Sequence, residues 1–355
     1  MQERLVKLRK QLAQQPCDGM LIVKPENRRY ISGFTGSAGY LLITGKDAIL
    51  ITDFRYTEQA QEQAPHFEVV KHGSSAHETI LAHLNRLGIK RLGFEKDYLT
   101  YAIYSTFQEK FAPIELVPLE GIVEKLRAVK DEHEIAIIRK AAEIADAAFS
   151  HITGFLKPGI TELDVAVELE FFMRKLGAKS SSFDIIVASG ARSSLPHGVA
   201  TDKVLEKGDF VKLDFGALYQ GYCSDITRTV VLGEPSDKQR EIYNIVAEAQ
   251  LYALEHLKAG MTGKEADALA REIIKNKGYG DHFGHGLGHG IGLYIHEEPR
   301  LSSLSNDVLE PGMVVTVEPG IYVAGFGGVR IEDDVVITES GIEILTSSIK
   351  DLLIL

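Results

Sequence analysis

"KGDFVKLDFGALYQGYCSDITRTVVLG", residues 207–233, has an echo further along the chain in "PGMVVTVEPGIYVAGFGGVRIEDDVVIT", residues 311–338. In each, a glycine (Gly208, Gly312) precedes an apolar strand, and a carboxylate stands six residues after it: Asp214 and Glu318. A Gly-containing turn leads into a second strand that bears another acid. Asp225 lies eleven residues after Asp214, and Glu332 fourteen after Glu318. Two such hairpins predict a pseudo-twofold arrangement in which strand pairing draws each couple of acids together. Side chains alternate faces along a strand, so Asp225, Thr227 and Thr229 share one face of the first return strand. Arg330, Glu332 and Asp334 share one face of the second. The apolar neighbours Ile226, Val230, Val231, Ile331 and Val335 mark these strands as buried. Acids in buried strands are rare unless they are paired or bind metal. Four carboxylates in one apolar site repel one another, and a pair of divalent ions removes that cost. An oxygen-rich set with one or two imidazoles suits Mn²⁺, Co²⁺ or Fe²⁺ better than a structural zinc, which usually recruits thiolates. Chemically, a two-metal hydrolase follows.

Between the hairpins lies "DHFGHGLGHGIGLYIHEEP", residues 281–299, with histidines at 282, 285, 289 and 296 and glycine at every even position from 284 to 292. Three readings suggest themselves: a metal cluster, a substrate pocket, or a flexible loop. His285 and His289 have the i, i+4 spacing of a zinc-binding helix, but Gly286 stands after His285 where that motif needs its glutamate. The repeated glycines also disfavour helix and predict an extended segment whose backbone approaches a ligand closely. His285 and His289 then share one face; His282 and His296 share the other parity, unless bends at the glycines change it.

The rest of the chain limits the choices. Its 355 residues suit two domains or one large one. A net charge of −11 argues against a broad nucleic-acid footprint. Two distant cysteines, Cys17 and Cys223, form no disulfide framework and fit a reducing compartment. The amphipathic start "MQERLVKLRKQLAQQ" has no signal-peptide core, and no apolar run is long enough for a membrane span. A cytoplasmic protein is expected.

Residues 1–121 alternate strand and helix signals: "LVKLRKQLAQ" as helix, "GMLIV" as a buried strand, "GYLLIT" and "AILIT" as a hairpin turning at Gly45–Asp47, "HETILAHLNRLG" as a helix closed by Gly88, "RLGFE" and "IELVPL" as strands. This predicts an α/β domain. "GFTGSAGY", 33–40, lacks the phosphate-loop pattern and precedes a strand, so it reads as a structural loop. Over 122–355 the pattern turns α+β. One long amphipathic helix is expected from Ile122 to Leu156, then a second after the N-cap Thr161, then strands, two more helices and terminal strands. Cys223 reads as a small core residue, Asp334 as structural, and His282 as without a role.

The ordered set Asp214, Asp225, His289, Glu318, Glu332, with "LDFGALYQGYCSDITRT", "GHGLGHGIGLYIHE", "TVEPGIY" and "GGVRIEDD", resembles the proline-specific metallopeptidases, the prolidase (Xaa-Pro dipeptidase) and aminopeptidase P family. The resemblance covers nearly the whole chain. It implies an α+β pita-bread catalytic domain over 122–355, preceded by the family's smaller α/β domain over 1–121. It implies two divalent metal ions, Mn²⁺ or Co²⁺ with Fe²⁺ or Zn²⁺ as alternatives. Asp214 would chelate one ion, His289 and Glu318 the other, and Asp225 and Glu332 would bridge them. Glu318 would also handle the proton of the attacking water. His197, in "LPHG", matches a histidine lining the site; His285 one facing the proline side; His296 one at the scissile carbonyl; Arg330 an arginine supporting the metal site or substrate. The implied substrates are short proline-containing peptides, and the implied assembly is a homodimer.

A proline peptide bond is a tertiary amide without N–H, so a metal-activated attack that needs only the carbonyl fits it. Metal-free relatives such as creatinase lack the full ligand set. Non-catalytic pita-bread binding modules lose ligands or gain charged extensions, and methionine aminopeptidase lacks the first domain. Dipeptidase and aminopeptidase P share the core motifs; the chain length favours the dipeptidase. Asp53, Arg55 and Tyr56 are either contacts to a neighbouring active site or an ordinary helix cap.

Overall fold

A computed structural model describes all 355 residues. The chain divides into two compact units, Met1–Arg127 and Ala128–Leu355. No helix is long and apolar enough to cross a membrane.

In the first unit six strands, β1 (Gly19–Ile22), β2 (Tyr40–Thr44), β3 (Ala48–Thr52), β4 (Glu68–Lys71), β5 (Arg91–Glu95) and β6 (Glu115–Leu119), form one sheet in the order β4-β3-β2-β1-β5-β6. Central β1 is buried at all four positions, which explains its unbroken apolar run. The β2–β3 hairpin turns where expected; Thr44 Oγ1 accepts from the backbone N–H of Lys46 and Asp47. Helices α1 (Gln2–Leu12) and α4 (Ala76–Arg86) fall on their apolar stripes. Three more, α2 (Pro25–Ser32), α3 (Thr57–Gln63) and α5 (Tyr101–Lys110), escape the sequence reading. The reason is visible in α2: it is eight residues long and buries Asn27 and Arg28 rather than an apolar stripe. Arg28 donates to the Gly36 and Gly39 carbonyls at 2.7 and 2.9 Å, fixing the 33–39 loop as a structural one. Asp53 is no helix cap, since α3 is entered from Tyr56; it pairs with Arg55 at 2.8 Å.

The single helix expected from Ile122 to Leu156 is two, α6 (Ile122–Ala128) and α7 (Glu132–Thr153). Asp131 and Glu134 form a capping box that starts α7 afresh. The intervening Val129 bridges to Met313, and Lys130 N–H donates to Gly312 O at 2.9 Å. Amphipathic periodicity runs through this break, so it cannot reveal it. Thr161 caps α8 (Glu162–Lys175) as expected.

The second unit is built of two similar halves. Strands β7 (Ser180–Ser181), β8 (Ile186–Ser189), β9 (Phe210–Phe215), β10 (Ala217–Tyr219), β11 (Tyr222–Cys223) and β12 (Ile226–Val231) form the sheets β12-β9-β8 and β11-β10-β7. Helices α7 and α8 bury Ile144, Phe149, Val165 and Leu169 against Val211, Leu213, Ile226 and Val230 of the first. Helices α9 (Asp237–His256) and α10 (Gly263–Asn276) do the same in the other half, against β15 (Val314–Val317) and β18 (Asp333–Thr338). Those strands lie in the sheet β14-β13-β15-β18-β19, with β13 (Gly288–Gly290), β14 (Glu297–Leu301) and β19 (Gly341–Ile344), while β16 (Gly320–Val323) and β17 (Gly327–Arg330) pair separately. Two helix pairs on two sheets, joined at their acid-bearing hairpins, make the pita-bread fold that the resemblance implies.

Candidate metal centre

The hairpins are tied to each other by their own acids. In the first, Asp214 lies opposite Thr227, and Asp225 immediately precedes β12. In the second, Glu318 follows β15 and Glu332 stands between β17 and β18. Asp225 N–H donates to Asp334 Oδ2 at 2.9 Å, Thr227 Oγ1 to Glu332 Oε2 at 2.5 Å, and Glu332 N–H to Thr227 O at 3.1 Å. The seam opens into one cavity of about 490 Å³. Its lining contains the nine residues that the resemblance assigns to the site: His197, Asp214, Asp225, His285, His289, His296, Glu318, Arg330 and Glu332.

At the base, ligand atoms of Asp225, His289 and Glu332 lie within 4.8 Å of one another, one acid from each hairpin. Asp225 Oδ1 is buried without a hydrogen-bond partner, an orphaned oxygen of a kind that costs free energy unless something cationic meets it. The Nδ1 of His289 faces Gly290 O at 3.1 Å. A proton there leaves the Nε2 lone pair free, 3.4 Å from Glu318 Oε1 and 3.8 Å from Asp225 Oδ2. Burial and the crowding of like charges push Asp225 and Glu332 well above the usual carboxylate range. Burial likewise carries Glu318 up to about 7. Burial, with the neighbouring His296, pulls His289 down to about 3, which keeps it neutral as a ligand must be. Acids whose charged forms are penalised beside a neutral imidazole are the donor set that divalent cations relieve.

Arg330 braces this base. Its guanidinium pairs with Asp214 Oδ2, donates to Thr227 Oγ1 at 3.0 Å and to Tyr322 Oη at 2.6 Å, and reaches the Pro196 carbonyl at 3.2 Å. His285 Nε2 meets the same Tyr322 hydroxyl at 2.8 Å; burial and Arg330 pull this imidazole down to about 3. Lys212, on the Asp214 face of β9, holds carbonyls of the 193–196 segment through its Nζ. Burial beside Arg330 draws its ammonium down to about 6, while the three carbonyls favour the charged form.

The histidine stretch departs from its reading in two ways. The segment is strand only at Gly288–Gly290 and again from Glu297, and Gly288 and Gly290 are tight against protein backbone. A Cβ at Gly288 would stand 2.0 Å from Thr316 O, and one at Gly290 2.2 Å from Glu298 O. Parity also fails at its far end. A β-bulge at His289/Gly290 and the return into β14 bring the His296 ring to 4.5 Å from that of His289. His282 stays outside the cavity, with its Nδ1 3.1 Å from Tyr322 O. Sequence reasoning missed Arg300, which lines the cavity from β14 opposite His289, as well as Tyr322 and Lys212. Arg300 sits in the alternating run "EEPRL" like any surface-strand residue; for Lys212 the signal was its parity with Asp214.

The pattern of metallopeptidase family M24 matches residues 136–339, and that of the creatinase/prolidase N-terminal domain matches residues 4–129. A solved Xaa-Pro dipeptidase from Bacillus anthracis superposes with a TM-score of 0.98 at 57% identity, over 100% of this chain and 99% of that one. The Xaa-Pro dipeptidase of Pyrococcus furiosus is 47% identical over 99% of this chain and 100% of its own length. A solved X-Pro aminopeptidase from Thermotoga maritima has a TM-score of 0.90 at 44% identity, over 98% of this chain and 100% of that one.

Proposed function

This chain belongs to metallopeptidase family M24, and from that premise we propose that it is an Xaa-Pro dipeptidase, cleaving the bond before proline in dipeptides. Two divalent ions, Mn²⁺ or Co²⁺, would be held by Asp214, Asp225, His289, Glu318 and Glu332, with Asp225 and Glu332 between them. The observation that carries this reading is the orphaned Asp225 Oδ1 beside Glu332 and the free Nε2 of His289. When bound, the metals supply a polarised carbonyl and an activated water at neutral pH.

The chain's own groups do the rest. Glu318, carried up to about 7, suits a group that takes a proton at Oε2 and returns it to the proline nitrogen. Thr316 Oγ1 occupies its other oxygen at 3.0 Å. His296 faces the scissile carbonyl, His285 the proline ring, and His197 the wall beside them. Arg330 fixes Asp214. No N–H is read, and a proline amide has none to offer. The Arg300 cation on the cavity wall matches the free carboxylate that a dipeptide carries next to its proline. That match, with the dipeptidase relatives, favours the shorter substrate. The Thermotoga maritima likeness supports the second reading, an aminopeptidase P acting on longer peptides. A homodimer in the cytoplasm completes the proposal; light scattering on the purified protein tests the dimer.

The deciding experiment strips the protein with chelator and restores Mn²⁺ or Co²⁺ over an Xaa-Pro dipeptide and an Xaa-Pro-Yaa tripeptide. Metal-dependent cleavage of the dipeptide alone is the expected result. Release of Xaa from the tripeptide makes the chain an aminopeptidase P. No cleavage of either, with metal bound, overturns the proline-specific reading.

A further inference from the structure

Lys212 stands two residues before Asp214 on β9 and shares its face by strand alternation. Its side chain is fully buried, where an ammonium is costly unless its donors are used. No carboxylate is among its hydrogen-bond partners. Its Nζ donates instead to three backbone carbonyls of one segment: Ser193 at 3.2 Å, Leu195 at 2.5 Å and Pro196 at 3.3 Å. The Tyr322 ring closes another side, its centroid 5.0 Å from Nζ. An ammonium has three N–H donors, so these carbonyls saturate it.

The clamped segment leads directly into His197, which is exposed on the cavity wall. Arg330 also donates to the Pro196 carbonyl, from both terminal nitrogens at 3.2 Å. One cation from each hairpin therefore grips the carbonyl that precedes His197. Upstream, Arg192 is tied to buried Glu162 and Ser193 Oγ accepts from Gly328 N–H at 2.9 Å. Leu195 itself is 48% exposed, so apolar packing does little to hold its carbonyl, which Lys212 takes from beneath.

We propose that Lys212 is a positioning residue of the peptidase: its ammonium clamps the Ser193–Pro196 carbonyls and so presents His197 to the substrate. The proposal rests on the reading above for the identity of the substrate, whereas the clamp is a property of the chain alone. The test replaces Lys212 with methionine, which keeps the length and removes the donors. Hydrogen exchange followed by mass spectrometry on the metal-free proteins is expected to show residues 192–199 exchanging about fivefold faster or more, with β9 and β12 unchanged. With Mn²⁺ and an Xaa-Pro dipeptide, Lys212→Met should lower kcat/KM about tenfold, and by less than about twofold in a His197→Ala background, at equal metal content.

Equal loss in both backgrounds, activity falling in step with bound metal, or unchanged exchange over 192–199 overturns the proposal. If the methionine variant does not fold, Lys212→Gln, which keeps two donors, is taken through the same cycle with a smaller expected effect. A wild-type protein that cleaves no Xaa-Pro peptide sinks the functional reading instead, and the exchange measurement then decides the clamp by itself.

Discussion

Two residues before its first acid, the hairpin of β9 and β12 carries Lys212, and the hairpin of β15 and β18 carries Thr316. Lys212 reaches away from the metal base to the turn before His197. Thr316 Oγ1 stays within the base: it donates to Glu318 Oε1 at 3.0 Å and accepts from His289 N–H at 3.1 Å. Two residues after the second acid the roles cross over. Thr227 donates to Glu332 of the other hairpin, and Asp334 accepts from Asp225 N–H of the first. The twofold likeness is therefore one of backbone. Its side chains have diverged, so that one hairpin steadies the substrate wall and the other steadies the imidazole, while each holds the other's shared acid.

The strongest way to break this comparison is to remove an acid that both hairpins share. Glu332→Ala should lower kcat/KM on an Xaa-Pro dipeptide about a thousandfold or more, the loss of several kcal/mol of metal-supplied stabilisation. Metal bound per chain, measured by atomic absorption, should fall with it. A variant that keeps full metal and a tenth of its activity would show that the hairpins hold their ions separately.

Much of this centre was legible because the chemistry contradicts its surroundings. Acids at Asp214, Asp225, Glu318 and Glu332 within or at the ends of apolar strands need an explanation whatever the fold, and the doubled hairpin places them. What was hidden depended on long-range geometry. His296 changes side only because a bulge and a return strand intervene. Arg300 reads as an ordinary residue of an alternating strand, and only the cavity shows where it faces. The break between α6 and α7 leaves amphipathic periodicity intact, since it is made by pairing to Gly312 and Met313. Helix α2 was invisible because it buries polar residues that hold a loop.

A milder change separates the crossed contacts from the acids themselves. Thr227→Val keeps the shape but leaves Glu332 Oε2 without its donor and Arg330 Nε without its acceptor. Metal affinity should weaken about 10- to 100-fold, as for other groups that orient metal ligands. Thr316→Val should instead act on Glu318: its pKa rises without the Thr316 donor, moving the acidic limb of the kcat/KM profile to higher pH. If both variants changed the same parameter, the division of labour between the hairpins would not hold.

The smallest effect concerns the metal-free protein and tests whether the acids of both hairpins behave as one cluster. Asp225, Glu332 and Asp334 are raised well above the carboxylate range by burial first, and Glu318 to about 7. A raised acid holds a proton in the folded state that the unfolded chain has released, so stability falls as pH rises through that window. His285 and His289, drawn down to about 3, act oppositely, but only below the ordinary imidazole value near 6.5. Lys212, lowered by burial but favoured in its charged form by its three carbonyls, opposes the acids with at most one proton. Wherever the raised acids still hold protons that the unfolded chain has released they outnumber that one proton and prevail, at about 1.4 kcal/mol per pH unit for each net proton. The Tm of chelator-treated protein should fall across this range. With Mn²⁺ bound the shared acids Asp225 and Glu332 are ionised throughout, and the Tm should stay level or rise. A metal-free Tm that rises with pH would mean that the four carboxylates are already relieved by the chain itself, and that the cluster needs no cation.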